Sequence, residues 1–131
     1  MQSDLLVQKQ PVDGLPKVHD LGNGTITEIL SFCESAKADE YLKQLSETCP
    51  WSHDSIKICG KIIPIPRLQC WIGDPGAINA YSGTSLKRNN WSPVVLELKK
   101  VAEDLSSSRL NSVLINCYRN GLDSVSWHAD D

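Results

Sequence analysis

The sequence predicts an α+β domain in which two amphipathic helices support a set of short β-strands. Apolar residues recur at helical spacing after Ser35 and again after Ser92. Elsewhere, short runs rich in β-branched residues are bounded by Gly, Pro and Asn, which is the pattern of strands and turns. The run from Leu110 to Arg119 has the clearest strand character. The two helices are expected to have structural roles.

The composition and the periodicity of the sequence change near Gly24. Residues 1–24 are rich in Pro, Gly and Asp and have little periodicity, so we expect a flexible lead-in, with His19 as an exposed loop residue. The domain itself is expected to span residues 25–131. It should begin with a short strand within residues 25–32 and continue with a helix capped by Ser35. This helix should end near Thr48, because Pro50 disfavours a helical residue before it.

The middle of the chain reads as a β-hairpin, a strand and a turn. The hairpin is expected at residues 55–58 and 62–65, around a Cys59-Gly60 turn, and the strand at residues 68–71. Gly73-Asp74-Pro75-Gly76 is a strong turn signal. Three cations near the hairpin form either a solvated face or a phosphate clamp, and a solvated face is the more common arrangement: Lys57, Lys61 and Arg67.

The sequence pattern in the second half of the chain predicts a helix followed by the principal strand. Ser92 is a candidate N-cap with Pro93 at the first helical position, and a polar link precedes it at residues 87–90. The helix should bury one apolar stripe, made of Val94, Val95, Leu98, Val101, Ala102 and Leu105. In the strand, alternation places Leu114, Asn116 and Tyr118 on one face. A buried Asn116 needs a hydrogen-bond partner, and a neighbouring loop is the simplest one.

Composition limits the class of protein. The chain has 131 residues, 40% hydrophobic and 22% charged, as expected for one globular domain, with a formal net charge of −3. That charge argues against broad, sequence-independent nucleic-acid binding, although a local basic groove remains compatible with it. The sequence contains neither a membrane-spanning apolar run nor a secretory signal. Five widely spaced cysteines favour reduced thiols in an intracellular compartment, nucleus or cytoplasm.

The last stretch, residues 111–131, carries the candidate chemistry. If the run through Trp127 is extended, His128 and Asp130 point to the same side, because side chains two apart on a strand share a face. An imidazole and a carboxylate form two thirds of the 2-His-1-carboxylate set that binds non-haem Fe(II) with open positions. Taken alone, a His-x-Asp triplet is more often a solvated turn than a metal site.

The longer pattern resembles the AlkB family of Fe(II)- and 2-oxoglutarate-dependent dioxygenases, closest to its nucleic-acid repair branch. The similarity is carried by Asn116-x-Tyr118-Arg119-Asn120-Gly121-x-Asp123 and by Trp127-His128-x-Asp130-Asp131. It continues upstream through Pro66-Arg67-Leu68, Trp71-Ile72-Gly73-Asp74, Tyr81-Ser82-Gly83 and Trp91-Ser92-Pro93. The resemblance implies the N-terminal portion of a double-stranded β-helix (jelly-roll) and oxidative demethylation of alkylated bases in DNA or RNA.

The resemblance also implies roles for individual residues. His128 and Asp130 correspond to iron ligands, and Asn116 and Tyr118 to residues that hydrogen-bond 2-oxoglutarate. Four residues are expected to contact the nucleic acid: Tyr81, Asp131, Arg67 and Arg119. Their alternatives are structural, since Tyr81 can pack under its own loop, Asp131 can be a solvated terminal residue, and Arg119 can pair with Asp123.

The chain departs from the family pattern at its end. The second iron-binding His and the Arg residues that hold 2-oxoglutarate lie downstream of the His-x-Asp in the family, beyond Asp131. Two hypotheses follow. Either the chain is the N-terminal part of a base-dealkylating dioxygenase, inactive alone, or it is a catalytically incomplete relative that acts as a binding or regulatory module, with a possible partner chain.

Overall fold

A computed structural model describes residues 16–78 and 86–128 of the chain, apart from the side chain of Ile58. The chain divides into two compact units, Met1–Lys43 and Gln44–Asp131. Small antiparallel and mixed sheets and two helices make up the described part, in agreement with the α+β class expected from the sequence.

The described part of the first unit contains a hairpin that the sequence pattern did not indicate. Strand β1 (Lys17–Asp20) pairs antiparallel with β2 (Thr25–Glu28), so irregular structure up to Gly24 was the wrong expectation for Lys17–Asp20. His19 lies in β1 and its Nε2 is 3.0 Å from Glu28 Oε2, so it is not a loop residue. Backbone hydrogen bonds can form such a hairpin without apolar periodicity, so the sequence pattern before Gly24 did not indicate a strand.

Helix α1 (Ser35–Thr48) crosses the boundary of the two units and ends where Pro50 requires. Ser35 is its first helical residue, and the Ala38 amide donates to the Glu34 carbonyl at 2.9 Å. The apolar stripe that was expected to cover a sheet is not buried: the helix has no buried residue, and Leu42 is 67% exposed.

The second unit begins with a tight hairpin, as the sequence predicts. Strands β3 (Ser55–Ile58) and β4 (Lys61–Pro64) pair antiparallel around Cys59 and Gly60. Both turn residues have positive φ, 48° and 79°, which is the two-residue type I′ geometry that suits the strand twist. Glycine adopts a positive φ without a steric penalty at Cβ, so Gly60 suits the second turn position, whereas Cys59 adopts the same region at some steric cost.

A three-stranded sheet forms the centre of the second unit. Strand β5 (Leu68–Gly73) lies between β6 (Arg88–Asn89), which is parallel to it, and β7 (Ser112–Cys117), which is antiparallel. The polar segment at residues 87–90 was expected to be a link, but it contributes β6. Gly73 ends β5 where the chain passes Ser112 so closely that an added Cβ would lie 3.1 Å from the Ser112 Cβ.

Helix α2 (Pro93–Ser106) begins at the predicted position. Ser92 is its N-cap, but the serine hydroxyl makes no capping bond and its buried oxygen lacks a partner among the described residues. The stripe is buried only at its start, at Val94 and Val95, whereas Leu105 is exposed. The core consists of β5, these two valines and a few flanking residues: Cys49, Ile65 and Leu86.

No helix within residues 16–78 or 86–128 is both long and apolar enough to span a membrane.

Candidate functional site

The two faces of β7 differ as the sequence predicts. Val113, Ile115 and Cys117 are half-buried, whereas Leu114, Asn116 and Tyr118 are exposed. The antiparallel register places Asn116 opposite Gln69 and Leu114 opposite Trp71. Directly opposite residues project to the same face of a sheet, so the polar position of β7 meets a polar position of β5.

The Asn116 carboxamide has a defined orientation. Its Oδ1 accepts hydrogen bonds from Arg67 Nε at 3.0 Å and from Gln69 Nε2 at 3.1 Å. A guanidinium can only donate, so the atom of Asn116 that faces Arg67 must be the oxygen. The amide NH₂ of Asn116 therefore points the other way, and it has no hydrogen-bond acceptor among the described residues. The loop partner expected from sequence is replaced by two residues of the neighbouring strand region.

Gln69 is a rigid support for this contact. Its side chain is only 3% exposed although it lies in an otherwise apolar strand. Its backbone N–H donates to the Ser52 carbonyl at 2.9 Å, and its own carbonyl accepts from the Ser52 amide at 2.8 Å and from the Ser52 hydroxyl at 3.1 Å. Buried polar side chains are stable when they are bonded, and here Asn116 supplies the partner.

Arg67 connects Asn116 to the segment that leads towards His128. It is 8% exposed, and its Nη1 donates to the Ser124 carbonyl at 3.2 Å. The Ser124 amide in turn donates to the Pro66 carbonyl at 2.8 Å. Arg67 thus lies inside the fold rather than on a solvated basic face, which corrects the simplest interpretation of the three hairpin cations. Lys57 and Lys61 remain on the exposed hairpin.

The turn after β7 is held by an ion pair. Arg119 Nε and Nη2 donate to the two carboxylate oxygens of Asp123 at 2.8 and 2.9 Å, and the Arg119 amide donates to the same side chain at 2.9 Å. These bonds favour the ionised form, so the pKa of Asp123 falls from its ordinary value of 3.8 to about 2. Of the two alternatives for Arg119, the described structure contains the pairing with Asp123.

His128 lies beyond the ordered strand. Strand β7 ends at Cys117 and residues 118–128 form turns and irregular chain, so the extended run through Trp127 is not observed. His128 Nδ1 is 2.8 Å from the Ser126 carbonyl oxygen, which can only accept a hydrogen bond. In the neutral ring, Nδ1 then carries the proton and Nε2 presents the lone pair that a metal ion requires. Trp127 is fully exposed.

Comparison with known proteins identifies the family. The profile of the 2OG-Fe(II) oxygenase superfamily matches residues 25–131. The chain belongs to the 2OG-Fe(II) oxygenase superfamily. Within this superfamily, the AlkB-like resemblance read from the sequence motifs is confirmed by the curated relatives.

Those relatives are similar over most of this chain but are much longer. The alpha-ketoglutarate-dependent dioxygenase alkB homolog 3 of Bos taurus is 36% identical over 76% of this chain and 35% of its own length. The Homo sapiens protein of the same name is 36% identical over 76% of this chain and 35% of its own length. The DNA oxidative demethylase ALKBH2 of Arabidopsis thaliana is 30% identical over 88% of this chain and 38% of its own length. The chain thus spans little more than a third of the length of these proteins.

Three of the residues expected to form the oxygenase site lie outside the described residues: Tyr81, Asp130 and Asp131. Within residues 16–78 and 86–128, no cluster of three or more His, Cys, Asp or Glu side chains has the geometry of a metal site. The donor chemistry that is described nevertheless fits the superfamily's cofactors. An outward amide NH₂ on Asn116 suits a carboxylate, and the His128 ring tautomer suits a divalent metal.

Sequence reasoning missed Gln69 as a member of the site. The only signal was a glutamine inside the apolar run Leu68-Gln69-Cys70-Trp71-Ile72, which is unusual for a buried strand. The partner of this glutamine depends on the pairing of β5 with β7, which are separated by β6 and α2. No local pattern specifies that register.

The five cysteines of the chain are all free thiols. Burial raises the pKa of Cys49, and it raises that of Cys70 to about 12, so both remain protonated at neutral pH. Cys33 and Cys117 are half-buried, and Cys59 is exposed. Free, protonated thiols are compatible with the reducing compartment inferred from sequence.

Proposed function

We propose that the protein carrying this chain is an Fe(II)- and 2-oxoglutarate-dependent dioxygenase that demethylates alkylated bases in DNA or RNA. The observation that carries the proposal is the Asn116 carboxamide, whose oxygen is held by Arg67 and Gln69 while its NH₂ points outward. An outward NH₂ is a donor suited to a carboxylate such as that of 2-oxoglutarate. The family match and the names of the relatives support the same reaction class.

The residues divide into three roles. We assign His128 and Asp130 to the iron, and Asn116 and Tyr118 to 2-oxoglutarate. Tyr118 is exposed and continues the alternation that puts Asn116 on the same face. Bound iron and 2-oxoglutarate together supply the oxidation of the alkyl group with dioxygen. The protein's own contribution is to hold the ligands, orient 2-oxoglutarate by hydrogen bonds and limit the entry of water.

For the substrate, we assign Tyr81 and Asp131 to the alkylated base. An extruded base needs an aromatic surface to stack on, and a carboxylate can accept from an exocyclic amine. Arg67 and Arg119 were expected to contact nucleic acid, but their donors already serve Asn116, Ser124 and Asp123, so we give them supporting roles. We also propose that residues 25–131 form part of a double-stranded β-helix domain, and that this domain includes the β6–β5–β7 sheet.

The decisive test replaces the candidate metal ligand. The full protein that carries this chain should release formaldehyde from a methylated oligonucleotide in the presence of Fe(II) and 2-oxoglutarate. His128→Ala should abolish this turnover and weaken Mn(II) binding, because the ring nitrogen that binds the metal is lost. His19→Ala is the matched control, since His19 pairs with Glu28 in the first hairpin, and should retain turnover.

Two results would reject the assignment. If His128→Ala kept the turnover of the unaltered protein, His128 would not be an iron ligand. If the unaltered protein bound 2-oxoglutarate and oligonucleotide but released no formaldehyde, the alternative of a binding or regulatory module would replace the enzyme.

A further inference from the structure

A buried pair of donors, Arg67 and Gln69, controls the direction of the Asn116 amide. Both side chains are nearly inaccessible to solvent, and both donate to the same oxygen at 3.0 and 3.1 Å. Arg67 is unable to accept a hydrogen bond, so the reverse orientation would place the Asn116 NH₂ against a guanidinium N–H. In that orientation the buried Arg67 donor would face another donor and lose its acceptor, which strongly disfavours a flipped amide.

We propose that Arg67 and Gln69 are positioning residues that lock Asn116 with its oxygen inward and its NH₂ outward, making this position selective for a hydrogen-bond acceptor. The proposal rests on the assignment of Asn116 to 2-oxoglutarate. The selected ligand group is a carboxylate or keto oxygen, which can accept from the NH₂. A ligand that offers a hydroxyl or amine as its donor finds no acceptor at this position.

The charge of Arg67 strengthens the same effect. A hydrogen bond from a guanidinium withdraws electron density from the amide oxygen, and hydrogen bonds in series polarise one another. The Asn116 N–H bonds thereby become better donors towards an anion. Arg67 acts through Asn116, which distinguishes it from a residue that contacts the ligand itself.

Arg67 also links the two halves of the proposed site. Its Nη1 donates to the Ser124 carbonyl, and the Ser124 amide returns a bond to Pro66, the residue before Arg67. These reciprocal bonds attach the start of β5 to the segment that leads to His128. The orientation of the 2-oxoglutarate donor and the path of the metal-binding segment are therefore determined by one buried side chain.

The test uses Gln69→Met, which keeps the length and the apolar packing of the side chain but removes its amide donor. The full protein is loaded with Mn(II) in place of Fe(II) and titrated with 2-oxoglutarate by calorimetry. The dissociation constant for 2-oxoglutarate should rise by about threefold to tenfold, the loss expected when one bond stops orienting the amide. Mn(II) affinity should be unchanged, because no metal ligand is altered.

The matched control is Asn89→Leu. Asn89 donates to the Trp71 carbonyl at 3.0 Å, so the variant removes a bond of similar length from the opposite edge of the same strand. It should leave the dissociation constant for 2-oxoglutarate unchanged. If Gln69→Met and Asn89→Leu weakened 2-oxoglutarate binding equally, the effect would come from the general stability of the strand. That result would overturn the positioning role.

Asn116→Ala separates this inference from the proposed function. If Asn116→Ala weakens 2-oxoglutarate binding but Gln69→Met does not, Asn116 binds the cofactor without needing Gln69, and only the positioning role fails. If Asn116→Ala leaves the dissociation constant unchanged, the assignment of Asn116 to 2-oxoglutarate fails as well.

Discussion

The two halves of the candidate oxygenase site are built in different ways. The 2-oxoglutarate half lies on paired strands, where Gln69 is bonded through both its backbone and its side chain and Asn116 is oriented by two donors. The half proposed to bind the metal lies on residues 119–128, which contain no strand and whose apolar side chains are all exposed. Strand pairing and buried bonds therefore preorganise the first half. The described part of the second half is organised by local turns and by the bonds of Ser124 to Arg67 and Pro66.

This difference predicts where stability is concentrated. Core positions of paired strands carry most of the free energy of unfolding, whereas exposed irregular segments contribute little. A cofactor donor on the stable part retains its direction before the ligand arrives, which reduces the cost of ordering it on binding. Substitutions in each half test this difference in stability.

The largest effect is expected from Ile72→Ala in β5. Ile72 is 1% exposed at the centre of the sheet, so the substitution should leave a cavity and lower the free energy of unfolding by about 2–5 kcal/mol. Chemical denaturation of the purified protein measures the loss. A decrease below about 0.5 kcal/mol, which is typical of surface positions, would contradict a preorganised strand half.

An intermediate effect is expected from acid at the Arg119–Asp123 turn. Because the pKa of Asp123 is lowered to about 2, its ionised form stabilises the folded chain fully above pH 3.8, and this contribution is lost as pH falls through about 2. The Asp123 carboxyl carbon, followed by NMR, should titrate near pH 2 in the unaltered protein. In Arg119→Gln the midpoint should move up towards 3.8, whereas Arg109→Gln should leave it unchanged. A midpoint near 3.8 before substitution would show that the ion pair is not formed in solution.

The smallest effect is expected from Trp127→Ser. Trp127 is fully exposed, so its replacement should change the free energy of unfolding by less than about 0.5 kcal/mol. The measurement is the same denaturation experiment used for Ile72→Ala. A loss above about 1 kcal/mol would mean that other parts of the full protein cover the tryptophan, and the metal half would then be more firmly packed than its described residues indicate.

Local rules predicted much of the fold. The Cys59-Gly60 turn and the start of α2 at Pro93 follow from the conformational preferences of Gly and Pro. The turn signal Gly73-Asp74-Pro75-Gly76 corresponds to the turn closed by the bond from the Ala77 amide to the Asp74 carbonyl. The faces of β7 follow from alternation alone, and they correctly placed Asn116 beside Leu114 and Tyr118. These features depend on residues close together in the chain, so no knowledge of distant contacts was needed.

Expectations that depended on distant contacts were less successful. Arg67 is buried because Asn116 and Ser124 supply acceptors, and nothing near Arg67 in the chain indicates this. Strand β6 consists of only two polar residues that gain partners from β5. Leu42 and Trp127 are large and apolar, yet both are exposed in the described structure. Apolar character favours burial but does not specify a surface to cover it.

The sequence by itself determined the family of this chain, the chemical identity of its candidate ligands and the face of the strand on which Asn116 lies. These features depend only on residue types and on short spacings along the chain. Only the tertiary structure decided which way the Asn116 amide points. That direction requires Arg67 and Gln69, from a strand region more than forty residues earlier, to meet one oxygen atom, and such a meeting is created by strand register rather than by local pattern.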